Sequence, residues 1–168
     1  LGNGYAITAT IGKREIMEAA QSTFISSTFW TERIGPAAAL KTLDVMEASR
    51  SWETITETGR MIRQRIGALA DKHHLGISQW GLPALTGYTF KSANAPAYKT
   101  YITQEMLARG FLAGNSVYVC TEHTPNVIDE FFDRLDPLFG KIREFEEGGD
   151  VFTHLKGPVC HSGFHRLN

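Results

Sequence analysis

Residues 77–90 read ISQWGLPALTGYTF, and this stretch decides the fold class of the second half of the chain. Two runs rich in aromatic and β-branched residues lie on either side of the Gly-Leu-Pro segment at 81–83. Glycine and proline commonly interrupt regular structure, whereas aromatic and β-branched side chains favour strands. The stretch therefore predicts two strands that belong to a small, mostly antiparallel sheet.

Helical patterns surround these strands. Ser51 is typical of a helix N-cap, and the segment after it ends near His73 or His74. Its apolar face is formed by Ile55, Gly59, Ile62, Ile66 and Leu69. A second helix is predicted from Ala95-Pro96 through Arg109, and a strand or two short ones from Phe111 to Cys120.

A long amphipathic helix is predicted to begin at Thr124-Pro125, with the threonine as N-cap and the proline at the first helical position. Pro137 is expected to kink this helix. The apolar positions recur at helical spacing and are Val127, Ile128, Phe131, Phe132, Leu135, Leu138, Phe139 and Ile142. Together these elements predict an α+β domain in which helices cover one side of the sheet.

The first part of the chain has a different pattern. Tyr5 to Ile11 alternates and is rich in Thr and Ile, which predicts a strand. A short helix over 13–21, a Ser- and Thr-rich loop over 22–34 and a helix beginning near Pro36 are predicted to follow. Because Leu1-Gly2-Asn3-Gly4 is turn-like and no methionine starts the sequence, we expect an element upstream of it.

Composition restricts the classes of partner. The 168 residues are 42% hydrophobic and 21% charged, with a net charge of −1. These values are typical of a globular protein and predict no nucleic-acid partner and no membrane span. Two cysteines do not make a disulfide scaffold, so we expect free thiols and a cytoplasmic setting.

Three segments of the sequence carry a family resemblance. They are LGNGYAITATIGKREIM (1–17), SSTFWTERIGPAAALKTLDVME (26–47) and QEMLARGFLAGNSVYVCTEHTPNVIDEF (104–131). In this order, they resemble class III aminotransferases, which use pyridoxal phosphate (PLP), and most closely the glutamate-1-semialdehyde aminomutase-like branch. The resemblance covers roughly residues 1–145 and implies a C-terminal portion of such an enzyme.

The resemblance implies a domain organisation. Residues 1–34 would be the end of a fold-type-I α/β large domain and 35–50 an interdomain helix. Residues 51–145 would form the C-terminal small domain, and 146–168 an irregular tail.

The resemblance also implies the chemistry. The lysine that holds PLP as a Schiff base should lie upstream of Leu1, so no catalytic residue is assigned here and the chain alone should be inactive. Thr28 matches the family's threonine that binds the cofactor phosphate of the neighbouring subunit, and Ser27 could support it. The expected functional unit is a homodimer that acts on a small amino substrate.

The sequence departs from the family pattern at several positions. Ala6 stands where the family usually has proline, and the bulky segment 29–33 follows the threonine, which suggests a different substrate. No convincing match to the family's carboxylate-binding arginine is present. Lys13 is the nearest lysine to the expected Schiff-base position, but it begins a helix and is better explained as a solvated residue.

Two other functions fit parts of the sequence. The chain could be a non-catalytic α+β interaction domain. Alternatively, Cys120, His123, Cys160, His161 and His165 could bind a metal ion, although the two groups lie about 40 residues apart and lack the framework of a zinc finger. We assign no metal ligand, and His123 is expected to order the turn before Thr124.

Overall fold

The computed structural model describes residues 1–24 and 28–161. It divides into two compact units, Leu1–Ser51 and Trp52–Asn168. The first unit contains α1 (Arg14–Met17), a 3₁₀ turn (Glu18–Ser22) and α2 (Ile34–Ser49). The elements from Ser51 onward are α3 (Ser51–Lys72), β1 (Ile77–Leu82), β2 (Leu85–Phe90), α4 (Ala95–Ala108), β3 (Ser116–Tyr118), α5 (Pro125–Glu146) and a 3₁₀ turn (Val151–His154).

The three strands form one antiparallel sheet with the order β1-β2-β3. β1 and β2 pair from Ile77 with Phe90 to Leu82 with Leu85, so the turn lies at Pro83 as the sequence predicts. β3 is short and pairs Ser116 with Gly87. The predicted α+β class, with a small antiparallel sheet and helices, is confirmed.

The core of the second unit lies between one face of β2 and the helices α4 and α5. Tyr88 and Phe90 point to this face, because alternate residues of a strand share a face, and both are buried. The Phe90 ring lies 5.6 Å from Tyr98 of α4 and 5.4 Å from Phe139 of α5, centroid to centroid. The apolar positions predicted for the long helices contribute Ile62, Ile66, Leu69, Ile128, Phe132, Leu135, Leu138, Phe139 and Ile142 to the core.

α5 continues without interruption through Pro137. Proline removes one helical N–H bond, and Pro137 lies on an exposed part of the helix, where water can satisfy the carbonyl group left free. Thr124 has the extended backbone of an N-cap residue, but its side chain makes no capping hydrogen bond. The predicted helix start is therefore correct, whereas the predicted side-chain cap is not formed.

Acidic residues of α5 pair with basic residues of α3. Arg65 donates to Asp129 over 2.5 Å and lies 4.2 Å above the Phe132 ring. Two helical turns further along both helices, Asp136 accepts from Lys72 and lies 2.5 Å from His73 Nε2. These pairs link the two helices at two positions seven residues apart on each.

α3 approaches the β1–β2 turn at a glycine. A Cβ atom at Gly59 would lie 1.9 Å from the carbonyl oxygen of Pro83, which no side chain could tolerate without movement of the backbone. Gly67, two turns further along α3, would place its Cβ 3.4 Å from the Gln79 side chain, close to ordinary contact. Only the first of the two glycines is required by packing.

The chain segment after α5 packs along α4. Val151 is buried, and Gln104 of α4 donates to the His154 carbonyl and accepts from the Lys156 N–H. Further along, the Cys160 N–H donates to the Thr100 hydroxyl over 2.9 Å. Residues 151–160 thus have ordered partners even though their sequence shows no periodic pattern.

The predicted strand Tyr5 to Ile11 is wrong. This segment has no regular secondary structure, and its first turn is closed by a bond from the Tyr5 N–H to the Gly2 carbonyl. A strand needs a partner for its backbone groups, and no other segment described in the Leu1–Ser51 unit is extended alongside it. Alternation alone therefore did not predict its conformation.

Replacement of Gly59 by alanine should destabilise the chain, because the new methyl group forces α3 away from Pro83. We expect a loss of about 1–3 kcal/mol in the free energy of unfolding. Gly67→Ala is the matched control and should gain up to about 1 kcal/mol from helix propensity. Urea denaturation of both variants measures this difference, and equal effects would contradict the packing.

Loss of the Asp136 carboxylate should destabilise the chain at neutral pH by up to about 1 kcal/mol, since the group is partly exposed. Hydrogen bonds from Lys72 and then His73 hold the pKa of Asp136 below its usual range. The stabilisation should therefore be present above pH about 4 and be lost as the pH falls below it. The melting temperatures of wild type and Asp136→Asn should converge as the pH falls through the lowered pKa of Asp136, whereas Asp133→Asn, a solvent-exposed control on α5, should leave the melting temperature unchanged.

Candidate functional site

The loop before α2 carries the residues predicted to bind a cofactor. Thr28 lies at a bend and is exposed, and no hydrogen-bond partner for its hydroxyl lies in the ranges 1–24 and 28–161. Ser27, the second predicted residue, lies outside the described residues. With respect to the described residues, the Thr28 hydroxyl is thus available to donate to another group.

Glu32 fixes the end of this loop to α2. Its carboxylate accepts hydrogen bonds from the Ile34 N–H and, over 2.8 Å, from the Gly35 N–H. These N–H groups belong to the first turn of α2 and have no partner inside the helix. The helix therefore begins at Ile34 rather than near Pro36, and a negative charge lies at the positive end of its dipole.

Gly35 brings the N-terminal segment against α2. A Cβ at this position would lie 2.7 Å from the Ala6 carbonyl oxygen, so only glycine permits the contact. A mostly apolar cavity of about 230 Å³ lies beside it, lined by Tyr5, Ala6, Phe29, Glu32, Ile34 and Gly35. The loop and the segment 5–7 thus form one small concave site within the Leu1–Ser51 unit.

Two aromatic side chains stand next to Thr28. Phe29 is 58% exposed and Trp30 is 73% exposed, which is unusual for residues of this size. The bulk of segment 29–33 is evident from the sequence, whereas the capping role of Glu32 was not predicted from it. The signal for that role was an acidic residue two positions before the first helical residue, a place where carboxylates stabilise helices.

No described lysine is enclosed in a site. Lys13 lies at the N-cap of α1 and is exposed, and its carbonyl closes the first helical turn. The remaining lysines of residues 28–161 are exposed or half-buried: Lys41, Lys72, Lys91, Lys99, Lys141 and Lys156. None is positioned like a lysine that holds a carbonyl cofactor in a desolvated pocket.

The cysteine and histidine residues do not come together. His123 Nδ1 accepts from the Cys120 backbone N–H over 3.1 Å, so it orders the turn before α5 as predicted. Cys160 contacts α4, where its thiol donates to the Pro96 carbonyl. Within the residues the structure describes, both cysteines are free and no three potential metal ligands are grouped; His165 lies outside them.

Comparisons with known proteins give a consistent result. The chain is 32% identical over 130 residues to 3-aminobutyryl-CoA aminotransferase of Cloacimonas acidaminovorans, a match that covers 74% of this chain and 31% of that enzyme. It is 27% identical over 148 residues to glutamate-1-semialdehyde 2,1-aminomutase of Neisseria gonorrhoeae, with 77% and 34% covered. The chain belongs to the class III aminotransferase family. No family model matches it.

A solved structure shows the same fold. The FumI protein of Sphingopyxis sp. MTA144, solved in its PLP internal aldimine form, matches with a TM-score of 0.74 and 21% sequence identity. The match covers 91% of this chain and 37% of FumI. The chain thus has the fold of the C-terminal portion of a class III aminotransferase, and it spans about a third of the length of the curated relatives it matches.

One further structural result concerns membranes. Among the helices of the described ranges, none combines the length and apolar character needed to cross a lipid bilayer.

Removal of the Glu32 carboxylate should loosen the start of α2. For Glu32→Gln we expect a loss of about 0.5–2 kcal/mol in local stability, because the charged acceptor at the helix N-terminus disappears. The rates of amide hydrogen exchange at Ile34, Gly35 and Ala37 measure this loss of local stability. Glu47→Gln, the same change at the other end of α2, should leave these amides unchanged; equal acceleration in both variants would contradict the cap.

Proposed function

We propose that this chain supplies the phosphate-binding loop and the C-terminal domain of a PLP-dependent aminotransferase or aminomutase. The observation that carries the proposal is the exposed Thr28 hydroxyl at a bend before a capped helix, in a chain of the class III aminotransferase family. The intact enzyme would move an amino group on a small-molecule substrate.

The loop suits the phosphate of PLP chemically. A hydroxyl donates to a phosphate oxygen without bringing its own charge, and charge-assisted hydrogen bonds of this kind are strong. The nearby Glu32 carboxylate would repel a phosphate if it were free. It is instead engaged by two N–H groups at the positive end of the α2 dipole, which offsets its charge.

Phosphate binding by this loop would take place between subunits. Thr28 lies on the surface, and its single hydroxyl can make only one donated hydrogen bond, so this residue by itself is not a complete phosphate site. We therefore propose a homodimer in which Thr28, supported by Ser27, reaches the cofactor held by the other subunit. Each subunit would complete the active site of the other.

The Schiff-base lysine would be supplied from outside residues 1–168. No described lysine of this chain lies in an enclosed site, so we assign no catalytic residue here and expect the chain alone to be inactive. PLP, when bound, supplies an electron sink that allows an amino group to be exchanged with a carbonyl substrate. The protein that carries this chain is proposed to act in the cytoplasm.

Thr28→Ala in the full-length protein should weaken PLP binding. A hydrogen bond to a charged partner contributes about 1.5–3 kcal/mol, which corresponds to about ten- to a hundred-fold in the dissociation constant. Thr28→Ser should have a smaller effect because the donor remains. Equilibrium titration with PLP measures the three affinities, and analytical ultracentrifugation checks that the dimer persists.

Thr31→Ala is the matched control, since it removes an exposed hydroxyl from the same loop. Its PLP affinity should equal that of wild type. Equal affinity of Thr28→Ala and wild type would show that Thr28 does not bind the phosphate.

A further inference from the structure

A second cavity lies wholly within the Trp52–Asn168 unit and has a volume of about 270 Å³. Its walls come from α3, from segment 111–118 and from the first turns of α5. Ile62 and Ile128 reach it and are each only 3% exposed, so it extends down to the core. Leu112 and Tyr118 also line it and are 95% and 75% exposed, which places them at its mouth.

The lining carries no formal charge. Apart from glycine, Ser116 and His123, every residue that contributes to the wall is apolar or aromatic, and neither an acidic side chain nor a lysine or arginine takes part. Phe111 and Phe131 contribute two rings whose centroids lie 5.8 Å apart, edge to face. Burial of an ion here would be costly, so a neutral ligand with an apolar body is favoured.

His123 supplies a defined hydrogen-bond donor. The Cys120 backbone N–H donates to Nδ1, so Nδ1 must carry a lone pair. The neutral ring then holds its proton on Nε2, and the second nitrogen is a donor. Because Cys120 tethers the ring, this donor is held in place beside the apolar walls.

We propose that this cavity binds a small neutral molecule with an aromatic or branched apolar body and one carbonyl acceptor. The apolar body would pack against the touching rings of Phe111 and Phe131, and the carbonyl oxygen would accept from His123 Nε2. A cavity of this volume lies just below the size usual for ligand pockets, which suits a compact ligand rather than a chain of protein. The proposed cavity site includes neither PLP nor the Thr28 loop. Failure of this proposal would therefore leave the proposed function unaffected, and the reverse also holds.

The test uses the full-length protein that carries this chain and two probes of similar shape, acetophenone and toluene. Acetophenone has a carbonyl acceptor and toluene has none. Titrations followed by NMR should give dissociation constants on the order of 1 mM, with the largest shifts at Phe111, Val117 and Phe131. Acetophenone should bind more tightly than toluene.

Four variants separate the contributions of the cavity and the donor. His123→Phe should weaken acetophenone about ten-fold and leave toluene unchanged, since it keeps a ring but removes the donor. Ala113→Phe should abolish binding of both probes by filling the cavity. If Ala113→Phe does not fold, Val127→Phe fills the cavity from its more exposed wall instead. Ala68→Phe, on an exposed part of α3, is the control.

Two results would overturn the proposal. Probe-induced shifts that map elsewhere, or that survive both filling variants, would show that the cavity is not the site. An equal loss of both probes in His123→Phe, with unchanged thermal stability, would show that His123 acts as a wall and not as a donor.

Discussion

The second unit depends on one aromatic cluster. Tyr88 and Phe90 on β2 meet Tyr98 of α4 and Phe139 of α5, with ring centroids 5.4–5.8 Å apart. These rings join the middle strand of a three-stranded sheet to two helices, and a sheet this small cannot be stable in water with both faces bare. The strand β2 therefore joins β1 and β3 on its edges to α4 and α5 on its buried face.

The outer face of the same sheet carries large apolar side chains that are exposed rather than buried. Trp80, Leu82, Leu85 and Tyr118 are all at least 40% exposed, although strand pairing makes them neighbours. Trp80 packs over Gly87 and donates to the Thr89 hydroxyl, which covers only part of this face. The sheet thus has one face built as a core and one that carries large apolar side chains in contact with solvent.

The sequence predicted the elements of the second unit well because their patterns are strong. Periodic apolar positions located α3 and α5, and the Gly-Leu-Pro segment located the turn between β1 and β2. It failed at Tyr5 to Ile11, where alternation predicts a strand but no segment among the described residues of the Leu1–Ser51 unit pairs with its backbone. The candidate site was only partly predictable. Thr28 came from the family resemblance, and an acidic residue two positions before α2 was a local signal for the Glu32 cap. Both cavities depend on contacts between distant segments that no local pattern encodes.

The proposed function divides the chemistry between this chain and residues outside it. The Leu1–Ser51 unit would offer an exposed donor in the loop before a capped helix, and the Trp52–Asn168 unit contributes a domain with its own cavity. The most direct test is to bind PLP to the full-length protein, reduce it with borohydride and locate the modified lysine by mass spectrometry. We expect one modified lysine outside residues 1–168; stoichiometric modification of any lysine within them would show that the Schiff base forms on this chain instead.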